Sequence, residues 1–124
     1  MERIVSAGPA VLYVCAQRGR RIPLLAADRA KTEGRAYATA HGLRLTDVIS
    51  DPYGDPDPAI RAGWRLVRAL ALASTIGTVI VRWPEVIAPD VAIGLRYREI
   101  RWLQNYDVPV RYSWAPLAAG GGGW

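Results

Sequence analysis

The sequence predicts a small three-layer α/β domain with a mostly parallel four-stranded sheet. Apolar runs alternate along the chain with helical patterns, in the order strand, helix, strand, helix, strand, helix, strand. Strands joined through helices in this way pair in parallel, and the helices cover both faces of the sheet. The run Thr78–Val81 is β-branched at every position and has no polar alternation. We therefore expect it to be a central strand that is covered on both faces. A length of 124 residues fits one domain.

Proline and glycine delimit the predicted elements. Four strands are predicted, over residues 10–16, 43–49, 78–81 and 108–114. Three helices are predicted between them, over residues 24–41, 58–74 and 89–106. The second strand alternates between apolar and polar residues, so we place it nearer an edge of the sheet. Outside these elements we expect a disordered lead over residues 1–8 and a flexible Gly-rich tail over residues 115–124.

The second helix follows a segment that is rich in turn residues. Residues 51–58 contain three prolines and a glycine, and Asp57 is placed to cap a helix that Pro58 begins. Aspartates in this segment have turn and capping roles, which explain them better than a cation site does. One apolar stripe of the helix is expected to face the core, and it comprises Ile60, Trp64, Val67 and Leu70 or Ala71.

The third helix carries two apolar stripes where one would suffice. A helix that covers one face of a sheet needs a single stripe of about 100°. The stripe predicted to face the sheet comprises Ile93, Tyr97, Ile100 and Leu103. The stripe predicted to be an interface comprises Val91, Leu95, Trp102 and Tyr106. We therefore expect a homodimer or another protein partner.

Composition excludes several classes of protein. Cys15 is the only cysteine and His41 the only histidine, so we expect no structural metal, no internal disulfide and no cofactor. No apolar run approaches the length of about 18 residues that spans a bilayer. No secretory leader is recognisable at the start of the chain. These features predict a cytoplasmic protein without membrane contact.

The net charge of +5 comes almost wholly from arginine, since Lys31 is the only lysine. Arginine forks match phosphate groups, which makes weak, non-specific DNA binding one interpretation. The candidate phosphate-binding residues lie in a basic turn and along one face of the second helix: Arg18, Arg20, Arg21, Arg61, Arg65 and Arg68. An Arg- and Ala-rich composition without Phe is also typical of a GC-rich genome and needs no nucleic acid to explain it.

Several segments, in order, resemble the catalytic domain of the serine recombinases of the resolvase/invertase family. The resemblance covers about residues 10 to 114 and depends on the order and spacing of the segments. Asp51 stands where the family's D-x-G-x-S loop begins, and Arg61 follows the pattern of its RP-x-L helix start. The other matching segments are residues 10–13, residues 35–38 with Gly42, residues 79–81 and residues 108–110. The resemblance implies a resolvase-like fold and a link to DNA recombination.

The chain departs from this family at the residues that carry its chemistry. The family's first strand has the pattern Tyr-x-Arg-x-Ser, and here Cys15 replaces the arginine and Gln17 the serine nucleophile. After the central strand, Glu85 matches the aspartate of the D-R-x-x-R signature, while Val86 and Pro89 replace its two arginines. An amide is no nucleophile, and neither Val86 nor Pro89 can stabilise charge on a phosphoryl group.

The resemblance with these losses predicts a non-catalytic interaction or regulatory module of bacterial origin, connected with DNA mobility. Two alternatives remain open, namely a weak basic nucleic-acid-binding protein and an enzyme of another class that uses Cys15. We interpret Cys15 as a small core residue at the end of a buried strand. A reactive thiol would need an electropositive and partly exposed site.

Overall fold

The computed structural model describes residues 8–114, in which four strands form one parallel sheet. The strands are β1 (Pro9–Val14), β2 (Arg44–Ser50), β3 (Thr78–Val81) and β4 (Val110–Tyr112). Their order in the sheet is β2-β1-β3-β4, and all three pairings are parallel. The predicted edge position of the second strand is therefore confirmed. The predicted lead and tail lie outside the described residues, except for Gly8, whose carbonyl accepts a hydrogen bond from Arg44 N.

Three α-helices connect the strands and form the two outer layers. They are α1 (Leu25–Ala40), α2 (Ala62–Leu72) and α3 (Ile93–Gln104). Short 3-10 turns precede α2 and α3 and follow β3, at Pro58–Ile60, Asp90–Ala92 and Pro84–Val86. None of the described helices is long and apolar enough to cross a membrane. The architecture is the predicted small α/β domain.

Alternate residues of the inner strands supply the two halves of the core. In β1, Ala10, Leu12 and Val14 pack with α1, while Val11 and Tyr13 pack with α2 and α3. In β3, Ile80 packs on the α1 side of the sheet, while Val79 and Val81 pack on the side of α2 and α3. Because successive side chains of a strand point to opposite faces, a strand that is apolar at every position must be covered on both sides. This is why these two strands lie at the centre of the sheet.

The second helix starts at a later residue than predicted. Arg61 therefore precedes the helix and has a different role from the one predicted. Asp57 does act as a cap, since its Oδ1 accepts from Ala59 N at 2.9 Å, but it caps the 3-10 turn. Arg61 then has extended dihedral angles (φ −83°, ψ 128°), and α2 begins only at Ala62. The stripe facing the core is Trp64, Val67 and Ala71. The prediction that Ile60 belongs to it is wrong, because Ile60 precedes the break and is exposed.

The inward face of α3 also differs from prediction. Its buried residues are Arg96, Glu99 and Leu103, whereas Ile93 and Tyr97 are exposed. Charged residues can face inward here because each has a partner. Arg96 donates to the Ala88 carbonyl at 2.7 and 3.0 Å, and Glu99 accepts from Trp64 Nε1 at 2.8 Å.

The predicted interface stripe of α3 does not form one exposed surface. Val91 lies in the turn before the helix and is exposed, and Leu95 is half-buried. Trp102 packs against the core, and the Arg68 guanidinium lies 4.5 Å from the centre of its ring. Tyr106 is exposed but contacts Trp102, with ring centroids 4.6 Å apart. The spacing of the apolar residues predicted one exposed stripe, because spacing alone does not show that the Arg68 guanidinium covers the Trp102 indole.

Helix α1 approaches β1 closely at Gly34, and this contact gives a prediction. A Cβ at Gly34 would lie 2.4 and 2.6 Å from the Cδ atoms of Leu12, which is fully buried. We expect Gly34→Ala to lower the free energy of unfolding by about 1–2 kcal/mol, since overpacking outweighs the gain in helix propensity. Urea denaturation followed by circular dichroism measures the change.

The matched control is Gly94→Ala in α3, where an added Cβ has no neighbour within 4 Å. This substitution should leave stability unchanged or raise it by up to about 1 kcal/mol through helix propensity alone. Equal effects of the two substitutions would contradict the close approach of α1 to the sheet.

Candidate functional site

A cleft of about 1040 Å³ lies beyond the carboxyl ends of the strands. In open parallel sheets this edge is where sites form, because the loops that follow the strands converge there. Residues after β1, the start of α1 and the loops that follow β2, β3 and β4 contribute to the cleft. Most of the lining is apolar or aromatic, and its charged members are Asp55, Arg61, Arg82 and Glu85.

A half-buried carboxylate organises the base of this region. Asp51, just after β2, accepts from Gly63 N at 2.7 Å and from Trp64 N at 2.9 Å, both in the first turn of α2. It also accepts from the Tyr13 hydroxyl at 2.7 Å. The N-terminus of a helix attracts negative charge, and the Asp51 carboxylate occupies that position here. Because a Cβ at residue 63 would lie 2.8 Å from both carboxylate oxygens, glycine is needed there.

Arg61 is buried, and its guanidinium is bonded to the protein itself. Its Nε and Nη2 donate to the Asp55 carbonyl at 3.0 and 2.8 Å. Its Nη1 donates to the Val86 carbonyl at 3.0 Å and to the Tyr13 hydroxyl at 3.3 Å. Four of its five N–H groups are thereby used to hold the two loops on either side of the cleft.

Two groups at the cleft that could act as nucleophiles are kept neutral. Burial, reinforced by the hydrogen bond to Asp51, raises the pKa of Tyr13 far above its usual value. Burial likewise raises the pKa of Cys15, although the positive charge of Arg61 opposes the shift. The Cys15 thiol lies 3.5 Å from the Pro52 carbonyl, to which it donates. The interpretation of Cys15 as a core residue agrees with this environment.

All five positions that the resemblance marked as degenerate line the cleft: Cys15, Gln17, Glu85, Val86 and Pro89. Gln17 and Glu85 are exposed, while Val86 and Pro89 are half-buried. The structure therefore brings the predicted site together in space. The described residues of the lining include no serine, threonine, histidine or lysine.

The six candidate phosphate-binding arginines do not form one surface. Arg18, Arg20 and Arg21 are exposed in the segment that follows Gln17. Arg65 is exposed on α2, but Arg68 lies over Trp102 with its Nε 3.2 Å from the Glu99 carboxylate. The predicted face of Arg61, Arg65 and Arg68 is wrong, because Arg61 precedes the helix and turns into the protein.

Sequence reasoning assigned no role in the site to Arg82 or to the aromatic residues of the cleft. Arg82, directly after β3, donates to both Glu33 oxygens at 2.9 and 3.0 Å, and its guanidinium lies 4.4 Å from the ring centre of Trp83. Trp83 meets Trp114 edge-on, with ring centroids 5.3 Å apart. Besides the buried Tyr13, the aromatic residues of the cleft lie at or just after the ends of three different strands, and they are Tyr53, Trp83, Tyr112 and Trp114. Position at a strand end is the signal that identifies them.

The described residues offer no group of three or more histidine, cysteine, aspartate or glutamate side chains that could hold a metal ion. The acidic side chains near the cleft have other roles. Asp51 caps α2, and Asp57 accepts from Arg98 Nη2 at 2.7 Å. The hydrogen bond from Ala59 N, together with the one from Arg98, lowers the pKa of Asp57.

Solved structures similar to this chain include catalytic domains of a serine recombinase and of an integrase. The C-terminal catalytic domain of ISC1926 TnpA, an IS607-like serine recombinase, is 17% identical with a TM-score of 0.70, covering 86% of this chain and 69% of that one. The N-terminal catalytic domain of TP901-1 integrase is 14% identical with a TM-score of 0.68, covering 85% and 76%. The first ORF of transposon ISC1904 from Sulfolobus solfataricus P2 is 14% identical with a TM-score of 0.62, covering 86% and 68%.

No protein-family model matches the chain, and no curated protein matches it. The structural similarity nevertheless establishes that the described residues have the fold of serine-recombinase catalytic domains. The resemblance inferred from the order of sequence segments is confirmed at the level of the fold. What this chain does depends on the residues that its own cleft presents.

The burial of Cys15 leads to a prediction about thiol reactivity. Only 7% of Cys15 is exposed and its pKa is raised, so little thiolate forms near neutral pH. We expect a disulfide reagent such as DTNB to label the folded protein at least about tenfold more slowly than the protein in urea. The Cys15→Ala variant gives the background rate. Rapid labelling of the folded protein would instead favour an enzyme that uses this thiol.

Proposed function

We propose that this chain is a recombinase-like domain that does not break DNA and acts as an interaction or regulatory module connected with DNA mobility. One observation carries this proposal. Gln17 is exposed at the cleft, at the position where the resemblance puts the serine nucleophile, and no described lining residue offers an aliphatic hydroxyl. A glutamine amide cannot form the covalent phosphoester that this reaction requires.

The electrostatics of the cleft support the same proposal. Phosphoryl transfer needs preorganised positive charge that meets the phosphoryl oxygens in the transition state. The two lining arginines are already engaged, Arg61 by backbone carbonyls and Arg82 by the carboxylate of Glu33. Glu85 adds negative charge to the lining. A phosphodiester bound here would find little free positive charge.

The remaining hydroxyl and thiol groups are poor substitutes for the serine. Tyr13 and Cys15 are buried, and each has a raised pKa. Tyr53 and Tyr112 are more exposed, but burial raises the pKa of Tyr112, and no hydrogen bond among the described residues joins either hydroxyl to the lining carboxylates, Asp55 and Glu85. General-base assistance is what normally activates such a nucleophile.

We expect the purified protein neither to nick nor to relax supercoiled plasmid DNA, and to form no covalent protein–DNA adduct. The physical reason is that both the nucleophile and the free cations are missing. Agarose gels and a denaturing gel of labelled DNA measure the two outcomes, with an active serine recombinase as the positive control. A covalent adduct with the wild-type chain would overturn the proposal.

Restoring only a hydroxyl at position 17 tests whether the cleft lacks the positive charge that phosphoryl transfer needs. The Gln17→Ser variant should remain inactive on the same plasmid, because Val86 and Pro89 provide no positive charge. Strand cleavage by this variant would show that the engaged arginines, Arg61 and Arg82, can still stabilise the transition state.

The start of α3 is the surface that we propose for self-association. Val91 is 96% exposed, and Ile93 and Tyr97 are exposed one helical turn apart on the same face. This surface replaces the predicted stripe, of which Trp102 is packed against the core. An exposed apolar patch can be covered by its own copy across a two-fold axis.

The double variant Ile93→Ser/Tyr97→Ser should shift the protein from dimer to monomer while its fold is retained. Sedimentation velocity over a concentration series measures the shift, and circular dichroism checks the fold. The control is Leu72→Ser, which changes an exposed leucine at the end of α2. A wild-type protein that sediments as a monomer at every concentration would remove the basis for this interface.

Sequence-independent nucleic-acid binding is the second candidate function. It is favoured by the exposure of Arg18, Arg20 and Arg21 beside the cleft and by the net charge of +5. Such binding would depend on counterion release and would therefore weaken steeply with salt. It is compatible with a domain that has no cleavage chemistry.

A further inference from the structure

Exposed aromatic side chains stand at both ends of the cleft. Tyr53 is 60% exposed at one end, and Trp114 is 42% exposed at the other, beside the partly exposed Tyr112. Two other large aromatic residues near this edge, Tyr13 and Trp64, are almost completely buried, and Trp83 is half-buried. Aromatic rings left in water around a concave surface are typical of binding sites.

The topology of the sheet separates these aromatic residues. Tyr53 follows β2 and Trp114 follows β4, which are the two edge strands in the order β2-β1-β3-β4. Three strand spacings of about 4.8 Å put the edge strands about 14 Å apart. One aromatic ring of a small ligand cannot contact both ends, whereas a chain of linked rings can. The spacing therefore favours a polymer that carries a ring on each unit.

The charge beside the cleft favours an anionic polymer. Arg18, Arg20 and Arg21 are exposed directly after the lining residue Gln17, and none of them forms an ion pair within residues 8–114. The sequence as a whole carries a net charge of +5. A proline-rich peptide would suit the aromatic residues but would make no use of three arginines.

A single strand fits these features better than a duplex does. Aromatic side chains bind nucleic acid by stacking on the faces of unpaired bases, with arginines following the backbone. In a duplex those faces are covered by the neighbouring bases, and the edges exposed in the grooves are read by hydrogen bonds instead. Cleft residues that read base edges would be polar, and these are mainly aromatic and apolar.

We propose that the cleft binds single-stranded nucleic acid, with bases stacked on Tyr53 and Trp114 and phosphates met by Arg18, Arg20 and Arg21. Recognition is independent of sequence, because stacking and backbone charge are common to all bases. The proposal requires no bond to be broken. It rests on the second candidate function, nucleic-acid binding, and not on the absence of cleavage, so a plasmid-nicking result in either direction leaves it unaffected.

Fluorescence anisotropy with the full chain tests the proposal. The probe is a labelled oligothymidylate of about twelve nucleotides, a length within the usual site sizes for single-strand binding. The same oligonucleotide annealed to its complement is the comparison. The expected result is at least about tenfold tighter binding of the single strand. Equal or tighter binding of the duplex would overturn the proposal.

Substitution of the aromatic residues gives the decisive comparison. Tyr53→Ala and Trp114→Ala should each weaken binding by about five- to a hundredfold, while Tyr53→Phe should retain most of the affinity. Tyr106→Ala is the matched control, since Tyr106 is as exposed as Trp114 but lies on the far end of α3, outside the cleft lining. If the Tyr53 and Tyr106 variants behave alike, the cleft is not the binding site.

The salt dependence tests the arginines separately. Changing Arg18, Arg20 and Arg21 together to glutamine should reduce the slope of log affinity against log salt by about 2, taking about 0.7 for each single-strand phosphate. Arg65→Gln, on the exposed face of α2, should leave the slope unchanged. An unchanged slope in the triple variant, or displacement of the oligonucleotide by a polyproline peptide, would contradict the proposal.

Discussion

The carboxylate of Asp51 is the interaction on which the region beyond the strands depends. It joins the end of β2 to the first turn of α2 through two backbone N–H groups, and to β1 through the Tyr13 hydroxyl. Hydrogen bonds to a charged acceptor contribute about 1.5–3 kcal/mol each, and here three converge on one partly buried carboxylate. With this anchor in place, Trp64 is set edge-on against Tyr13, with ring centroids 4.9 Å apart.

Interactions of charged side chains also determine the shape of the cleft above Asp51. Arg61 takes its position from the extended residue that precedes α2, and it ties the Asp55 and Val86 carbonyls together across the site. An arginine that holds two loops cannot also swing freely to a phosphate. Arg82 is committed in the same way to Glu33. The contacts that hold the loops of the cleft in place therefore also occupy the guanidinium groups of Arg61 and Arg82. These groups are then not free to bind a phosphate.

The central position of β3 and the edge position of β2 could be predicted, because β3 has no polar alternation and must be covered on both faces, whereas β2 alternates. The faces of the helices could not be predicted equally well. Arg96 and Glu99 point inward because the Ala88 carbonyl and Trp64 Nε1 satisfy them, and both partners lie outside the helix. Arg61 does not lie on the helix face predicted for it, because its backbone is extended and α2 begins only at the next residue. The location of the site followed from topology, whereas its hydrogen bonds depended on tertiary contacts.

The cleft keeps the position of a site while its residues favour a different kind of ligand. Its two lining arginines are engaged, and the lining side chains exposed to water include the rings of Tyr53, Tyr112 and Trp114 as well as Gln17, Asp55 and Glu85. Free rings bind flat, apolar faces, and among the described lining residues no unengaged cation is present to stabilise phosphoryl transfer. Positive charge remains outside the lining, in the exposed arginines that follow Gln17. In the binding mode that we propose, the exposed rings hold a single strand by its bases while these arginines meet its phosphates.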